Sequence, residues 1–486
     1  MLLAEDGSRA TQRASPGDTG ERGRRQIVAL VMVFYLLLIF EGALRKWLLT
    51  SYGQPLFFIR DPVVLAIYWL ALRHGFFPRS KVLLWVCAAF GFVGLLIIAV
   101  QAFGVAAAID KWPLLAVYGW RNYFLYIPLP FVIAETFRQA DLQRIARITF
   151  LLAFPIAVLV LLQFRAPLDA PINVGFGAST AQQFHGLAVD MNHTRPMGTF
   201  TSDVGQKEFV VAGMAMLIAL WIAAPAHRYL KLWQITLVTG ALLTCLAVSG
   251  SRGAILACGV VMAVAVGSAA VVRKGGVSRR AVIVPAFIVL LAAVLYPIVF
   301  PEGYSTFMNR WAQAHEAETH TFSSGVFGRA FYSLYDFLGL LSDAPLAGYG
   351  LGLAGNASLT LGVTIPGFSG WAESDWARHI VDLGPVLGVA FIVYRIALVV
   401  WLARSCITGA RSSGNPLPLL LFASCAVDLL YGEVTGHGTV NGYTWLFAGL
   451  AAAAAVTAQA QTAAVAVADS AAQPTVNGLP FPNLLR

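Results

Sequence analysis

The sequence is poor in charge and in cysteine, and each shortage excludes a class of protein. Charged residues make up 12% of the 486 residues and hydrophobic residues 58%, whereas a soluble domain is about 25% charged. The 5 cysteines form no CxxC pair and no cluster with histidine, so we expect no structural zinc site and no other metal. None of them lies in the long loops that we predict to face the exterior, which excludes a disulfide there.

The chain is instead rich in long apolar runs. Runs of about 17–25 residues, enough to cross the bilayer core as a helix, recur along the chain. They predict an all-α, polytopic membrane protein with twelve transmembrane helices. The predicted spans are residues 27–46, 56–72, 82–104, 114–135, 147–164, 207–224, 231–249, 254–272, 281–299, 376–402, 416–434 and 441–458.

The chain divides into three predicted parts. Residues 1–26 form a polar cytoplasmic tail, residues 27–458 the transmembrane domain, and residues 459–486 a disordered cytoplasmic tail. The transmembrane domain contains two long loops, 165–206 and 300–375, and loops of this length are usually functional. The first apolar run lacks a small-residue cleavage site, so we interpret it as an uncleaved membrane anchor.

The net charge of +9 is explained by basic segments on one side of the membrane and does not indicate a nucleic-acid partner. Basic segments come after every second predicted span, which is the pattern of the positive-inside rule. The pattern places both termini in the cytoplasm and both long loops outside. The basic segments are residues 73–81, 138–147, 225–231, 273–280 and 403–411.

Charged residues also stand at the ends of the first two predicted spans. Glu41, Arg45 and Lys46 close the first span, and Arg60 and Asp61 open the second. Charges at or inside a span are costly, and they usually face a cavity or a partner. Two interpretations stay open for Arg60 and Asp61, because they could neutralise each other or belong to a binding site.

Three further arginines are candidates for binding an anion. Arg121 lies in the fourth predicted span with no acid nearby in sequence, which favours a function. Arg195 precedes the sixth span, and the alternative for it is an ordinary exposed loop charge. Arg252 lies in SGSRG, residues 249–253, where glycines allow close backbone approach and a helix N-terminus adds positive potential. The alternative for Arg252 is a tight turn with a snorkelling side chain.

Acids and a histidine gather where the tenth predicted span begins. Glu373 and Asp375 lie at its lip and His379 lies about one turn inside. Such a group can supply a general base, or it can simply pair with Arg378. The nearby sequence GLGLAG, residues 350–355, matches the GxGxxG pattern of dinucleotide sites, but no strand precedes it. We therefore expect a flexible turn there.

Taken in order, several short motifs resemble one family. They are R-x-x-G-T-F from Arg195, S-x-S-R-G around Arg252, a Gly-Arg pair at Arg329, PLAGYGLG around Tyr349, and GPVLG from Gly384. This order is similar to that of the O-antigen ligase and Wzy-type polysaccharide polymerase superfamily. Residues 41–47 and 57–62 resemble those of its exopolysaccharide polymerase-like members.

The resemblance implies a GT-C-like fold in the bacterial cytoplasmic membrane and glycosyl transfer at its outer face. The donor would be a glycan on undecaprenyl pyrophosphate, the acceptor another glycan, and no cofactor would be needed. A flippase and a chain-length regulator would be partners. The implied catalytic residues are Glu373, Arg195 and Arg252, and the implied substrate-binding residues are Arg121, Arg329, Arg60, Arg45, Lys46, Asp375, His379 and Tyr349.

This chain differs from the ligases of the family at one pair of positions, and the difference favours one of the family's activities. Ligases carry a His-Asn pair in the position ahead of Gly384 where this chain has Glu373 and Ser374. A carboxylate in that position favours a polymerase that joins lipid-linked repeats. The alternatives are an O-antigen ligase that transfers polymer to lipid A core, a flippase or other transporter of lipid-linked oligosaccharide, and a non-enzymatic scaffold.

Overall fold

The fold is known from a computed structural model that describes part of the chain. The described residues are 16–53, 55–78, 82–174, 195–223, 228–272, 277–321, 328, 331–365, 372 and 374–472. Over these ranges the regular structure is helical and contains no strand. The predicted all-α class is therefore confirmed.

The helices follow the apolar runs closely. They are α1 Pro16–Ala43, α2 Asp61–Arg73, α3 Val82–Gln101, α4 Trp112–Trp120, α5 Leu129–Thr136, α6 Gln139–Arg165, α7 Asp203–Ile222, α8 Leu232–Val248, α9 Arg252–Val271, α10 Val277–Val299, α11 Pro301–Thr321, α12 Asn356–Thr360, α13 Asp375–Ser413, α14 Leu417–Leu430 and α15 Gly438–Ala472. Turns of π-helix, Leu44–Leu48 and Arg121–Leu125, extend α1 and α4. Helix α15 continues into the stretch for which the sequence predicts a disordered tail.

Eight helical segments in the described ranges are long and apolar enough to cross a membrane. They are Gly20–Leu48, Pro55–Arg73, Leu84–Gln101, Gln139–Arg165, Asp203–Ile222, Arg252–Val271, Asp375–Ser413 and Gly438–Thr462. The other four predicted spans take less regular forms. One is divided between α4 and α5, α8 and α14 are short, and α10 meets α11 at an angle of 109°.

Helix α15 forms the centre of the bundle and packs on α5, α13 and α14. Residues Ala451–Ala455 are all buried. A Cβ atom placed on Gly409 of α13 would lie 2.8 Å from the Cα of Ala455. Small residues at such a contact let two helices approach closely inside a membrane.

One end of the bundle collects the basic segments, and we call it the basic end. Near the start of α1, Arg24 pairs with Asp141 of α6 at 2.7 Å, and Gly23 lies against the ring of His74 at the end of α2. A cavity of about 860 Å³ here is lined from the start of α6, the end of α7 and the turn between α13 and α14. The described basic stretches that meet at this end are 73–78, 138–147, 228–231 and 403–411.

Candidate functional site

The opposite end of the bundle holds buried ions, and we call it the ionic end. At the end of α1, the carboxylate of Glu41 is shared by two guanidinium groups. Arg60 Nε lies 2.7 Å from Glu41 Oε2, and Arg45 Nη1 lies 3.2 Å from Glu41 Oε1. Arg60 also donates to the Gly438 carbonyl at 3.0 Å. Arg60 therefore does not form the neutralising pair with Asp61 that was one of the two interpretations.

Asp61 pairs with Arg121 instead. Arg121 Nε lies 2.8 Å from both carboxylate oxygens of Asp61. Its Nη2 donates to the Tyr126 hydroxyl at 2.8 Å and to the Phe57 carbonyl at 3.1 Å. The tyrosine hydroxyl in turn donates to Asp61. The acid that neutralises Arg121 is thus 60 residues away in sequence, so Arg121 has a partner within the fold although no acid lies near it in the sequence.

The motif that begins at Arg195 packs on the end of α1. Lys46 Nζ donates to the Gly198 carbonyl at 2.9 Å. A Cβ atom on Gly42 would lie 2.2 Å from the backbone of Phe200, so the two chains touch through main-chain atoms. Arg195 itself pairs with Asp203 at 3.0 Å, and its side chain keeps 29% exposure. The structure thus brings Arg45, Lys46, Arg60 and Arg195 to one end of the bundle.

Helix α13 is kinked at Gly384, where φ is 81° and ψ is 170°. Pro385 follows and has no N–H to donate to the Val381 carbonyl one turn earlier. That carbonyl accepts a hydrogen bond from the Tyr349 N–H at 2.8 Å. The next carbonyl, of Asp382, accepts from Gln101 Nε2 at 2.8 Å. Backbone groups freed by the kink are therefore satisfied by residues from elsewhere in the chain.

Residues 345–352, which we call the glycine segment, lie in this kink. A Cβ atom on Gly348 would be 2.4 Å from the Asp382 carbonyl oxygen, and one on Gly352 would be 2.3 Å from the Leu115 carbonyl oxygen. Tyr349 is buried, and its hydroxyl donates to the Asp343 carbonyl at 3.3 Å. The turn expected over residues 350–355 is present at residues 351–354, but Gly352 is packed closely against α4, so the expected flexibility does not fit the structure.

Asp375 and His379 lie fully buried at the start of α13. Arg395, one of the charges inside a span, donates to Asp375 and lies 3.0 Å from His379 Nε2. It also donates to the carbonyls of Leu429 and Asp428 at the end of α14, at 3.0 and 2.7 Å. Cations are favourable at such a helix terminus. Arg378 contacts Asp375 at 3.4 Å. Asp375 therefore pairs with Arg378, as one of the two interpretations predicted.

Both ring nitrogens of His379 are occupied. Nδ1 lies 3.1 Å from the Tyr123 hydroxyl, which donates to Asp382 at 3.2 Å. The tyrosine proton is therefore committed to Asp382, and the histidine donates from Nδ1 and accepts from Arg395 at Nε2. With no exposed surface, His379 is not placed to take a proton from a substrate.

A loop that the sequence analysis missed joins the two groups of ions. Residues 431–437, which we call the linking loop, connect α14 to α15. Thr435 donates its N–H and hydroxyl to Asp375 at 3.2 and 2.7 Å. Its carbonyl accepts from Asn122 at 3.0 Å, and Asn122 accepts from Arg121 at 2.9 Å. The signal was a glycine-rich polar stretch, YGEVTGHG, between two apolar runs.

The linking loop carries an acid and a histidine, Glu433 and His437. Glu433 is 46% exposed in its side chain, lies 3.8 Å from Arg378 and accepts from Asn356 at 3.4 Å. His437 Nε2 lies 3.1 Å from the Ser202 hydroxyl, and its Nδ1 accepts from a backbone N–H at 3.3 Å. Burial lowers the pKa of His437, and this effect outweighs the opposing effect of nearby Glu433. The imidazole is therefore held neutral.

Arg252 lies at the start of α9, beside another ionic group. Ser251 caps this helix by accepting from a backbone N–H at 3.2 Å. The Arg252 guanidinium lies 5.9 Å from the centre of the Trp311 ring. The next residue in the chain approaches Lys207, which pairs with Glu208 at 2.9 Å. Glu373 and Arg329 lie outside the described residues.

Over the described residues, no group of three or more His, Cys, Asp or Glu side chains is arranged to hold a metal ion. No protein-family model matches the chain, and no curated protein matches it significantly. The structure therefore defines a class, a polytopic helical membrane protein with a buried ionic network at one end of its bundle.

Proposed function

We propose that this protein is a membrane glycosyltransferase that polymerises oligosaccharide repeats carried on undecaprenyl pyrophosphate. The proposal places it in the bacterial cytoplasmic membrane as a GT-C-like bundle of twelve spans, with α4–α5, α8, α10–α11 and α14 added to the eight long helices. The observation that carries it is the excess of cations around Glu41. Two guanidinium groups share that carboxylate, and Lys46 donates to a carbonyl beside them.

An excess of fixed cations suits a pyrophosphate. Guanidinium forks bind phosphate oxygens with two parallel hydrogen bonds and need no metal. Neutralising the charge that develops on a leaving pyrophosphate is a large part of what such an enzyme must do. Arg45 and Arg60 are buried, and Arg195, whose side chain is 29% exposed at the same end of the bundle, is placed to meet a ligand from outside.

The two ends of the bundle support the sidedness of the proposal. Basic stretches collect at one end, and the positive-inside rule assigns that end to the cytoplasm. The cation excess lies at the opposite end, which then faces the exterior. Cytosolic nucleotide sugars do not reach that face, so a lipid-borne donor fits it. Charges that lie at one end also suit an enzyme better than a flippase, whose charges line a deep central cavity.

The direct test uses purified protein in lipid vesicles with a lipid-linked repeat unit, and gel electrophoresis reports product length. We expect a ladder of polymer that survives EDTA. Arg60→Lys should lower transfer at least tenfold, because a point charge replaces a fork. Arg404→Lys, an exposed arginine of α13 near the basic end, is the matched control and should behave as wild type.

Three other results would reject the polymerase. Transfer of finished polymer to lipid A core without growth of the lipid-linked chain identifies a ligase. Movement of the lipid-linked repeat across the vesicle without any new glycosidic bond identifies a flippase. No transfer and no movement with any lipid-linked donor leaves a scaffold. A ladder of equal length from Arg60→Lys would separate the polymerase activity from the proposed pyrophosphate site.

A further inference from the structure

We propose that Glu433, in the linking loop, is the catalytic carboxylate that accepts the proton of the acceptor hydroxyl. This inference rests on the proposed function and assigns a role to a residue that the family resemblance does not point to. It makes the linking loop part of the active site, although the sequence predicts that Glu433 lies near the end of the span 416–434.

Glu433 is more accessible to a substrate than the buried acids of the ionic end. Glu41 of α1 and Asp375 of α13 are 8% and 0% exposed in their side chains and hold arginines in short ion pairs. Glu433 is 46% exposed, and its contact with Arg378 is 3.8 Å long. A carboxylate that must bind a substrate hydroxyl needs free oxygen lone pairs and access to the ligand. Glu433 has both.

The linking loop also contacts the residues of the proposed pyrophosphate site. The Gly438 carbonyl, which follows the linking loop, accepts from Arg60 of the proposed pyrophosphate site. One turn after Glu433, His437 contacts Ser202, the neighbour of the residue that pairs with Arg195. The linking loop thus runs from Glu433, which contacts Arg378, to the residue whose carbonyl contacts Arg60, one of the cations assigned to the leaving group. An inverting displacement needs its base and its leaving group on opposite sides of the sugar carbon.

The proposed glycosyl transfer needs no reactant besides the donor and the acceptor. An acceptor hydroxyl gives its proton to a Glu433 carboxylate oxygen while its oxygen forms a bond to the anomeric carbon of the donor. The bond from that carbon to the pyrophosphate oxygen breaks, and its electron pair leaves with undecaprenyl pyrophosphate. The cations near Glu41 stabilise that charge. The configuration at the anomeric carbon is inverted.

Arg378 does not depend on Glu433 alone for partners. Arg378 also contacts Asp375 at 3.4 Å and donates to the Ala354 carbonyl at 3.0 Å. Removing the Glu433 charge therefore leaves Arg378 with partners, and a neutral isostere should fold. A loss of activity in such a variant then reports on chemistry.

The experiment compares Glu433→Gln with wild type in the vesicle assay. We expect the rate of transfer to fall about 10²–10⁴-fold, the range for loss of a general base. Binding of undecaprenyl pyrophosphate, used alone as the probe, should change less than twofold, and the thermal midpoint should be unchanged. In Glu433→Ala, added formate should restore part of the rate, because a small carboxylate can occupy the vacated space. Glu135→Gln, an exposed acid near the basic end, is the matched control.

The outcomes are separable. Wild-type rates in Glu433→Gln while the wild-type protein makes polymer would overturn the role of Glu433 and leave the proposed function intact. Loss of transfer together with loss of probe binding and a lower thermal midpoint, without rescue by formate, would show a structural role and also overturn it. Formate-dependent rescue confined to Glu373→Ala would transfer the role to that residue. Absence of transfer by the wild type would overturn both proposals.

Discussion

Replacing Gly384 by alanine probes how the glycine segment and α13 fit together. Gly384 has φ 81° and ψ 170°, a backbone region that is essentially restricted to glycine and costs other residues about 1–3 kcal/mol. A Cβ atom there would also lie 2.1 Å from the Leu346 carbonyl oxygen and 2.8 Å from the Gly348 nitrogen. Overpacking against backbone adds about 1–3 kcal/mol. We therefore expect Gly384→Ala to lower the free energy of unfolding by about 2–6 kcal/mol.

The chain contains its own reporter for this measurement. All five cysteines are buried, so a thiol-reactive fluorophore reports unfolding in detergent as temperature rises. Gly240→Ala in α8 is the control, because nothing lies within 4 Å of a Cβ atom there. Alanine favours a helix interior over glycine by about 1 kcal/mol, so this variant should match or exceed the wild-type thermal midpoint.

Two results would refute the reasoning. An unchanged midpoint in Gly384→Ala would mean that the kink is not restrained by the glycine segment. Strict additivity of Gly348→Ala and Gly384→Ala would mean the same, since both Cβ atoms would enter one contact and residues in contact do not act independently. We expect the double variant to lose less stability than the sum of the two.

Three further predictions follow from the ionic network and the two ends of the bundle. Arg395→Met should lower the free energy of unfolding by about 3–5 kcal/mol, because it leaves the buried Asp375 without its closest cation; thermal unfolding measures this. Cysteine placed at exposed Ser342 should react with an impermeant thiol reagent in intact cells, and cysteine at exposed Arg411 should not, as the positive-inside rule predicts. Stability should fall as pH drops below about 6.5, because unfolding frees His437 to take a proton that the fold disfavours.

Each of these predictions has a control or an outcome that would contradict it. Arg404→Met, on the same helix but exposed, should leave the midpoint unchanged, and an equal loss there would remove the case for Arg395. Labelling at Arg411 in intact cells would reverse the topology. The acid sensitivity should shrink in His437→Gln, whose side chain does not titrate, and an unchanged pH profile would assign the effect to other groups.

The helical class and most element positions could be predicted from the sequence. Apolar runs and the glycine and proline residues between them are local properties, and in a membrane they leave little choice but a helix. The places where prediction and structure differ are those where length alone is a poor guide. The fourth apolar run contains Arg121, which begins a π-helical turn and divides the run. A tertiary contact with Asp61 and a local one with Tyr126 hold that turn.

The candidate site was only partly predictable. The sequence singled out Arg45, Lys46, Arg60 and Arg195, and the structure gathers them at one end of the bundle. It did not indicate that Glu41, rather than Asp61, would face Arg60. Side-chain direction on a helix separates neighbours in sequence, so adjacent opposite charges at the start of α2 point to different partners.

By itself the sequence determined which stretches are helical, which segments are basic, and which glycines and arginines stand in polar stretches. These depend on residue type and short-range order. Only the tertiary structure decided that the glycine segment satisfies the kink in α13, that Arg395 holds Asp375 and the end of α14 together, and that the linking loop joins both groups of ions. Those contacts depend on which helix faces the next, because buried charges take whatever partner the packing of distant segments brings within reach.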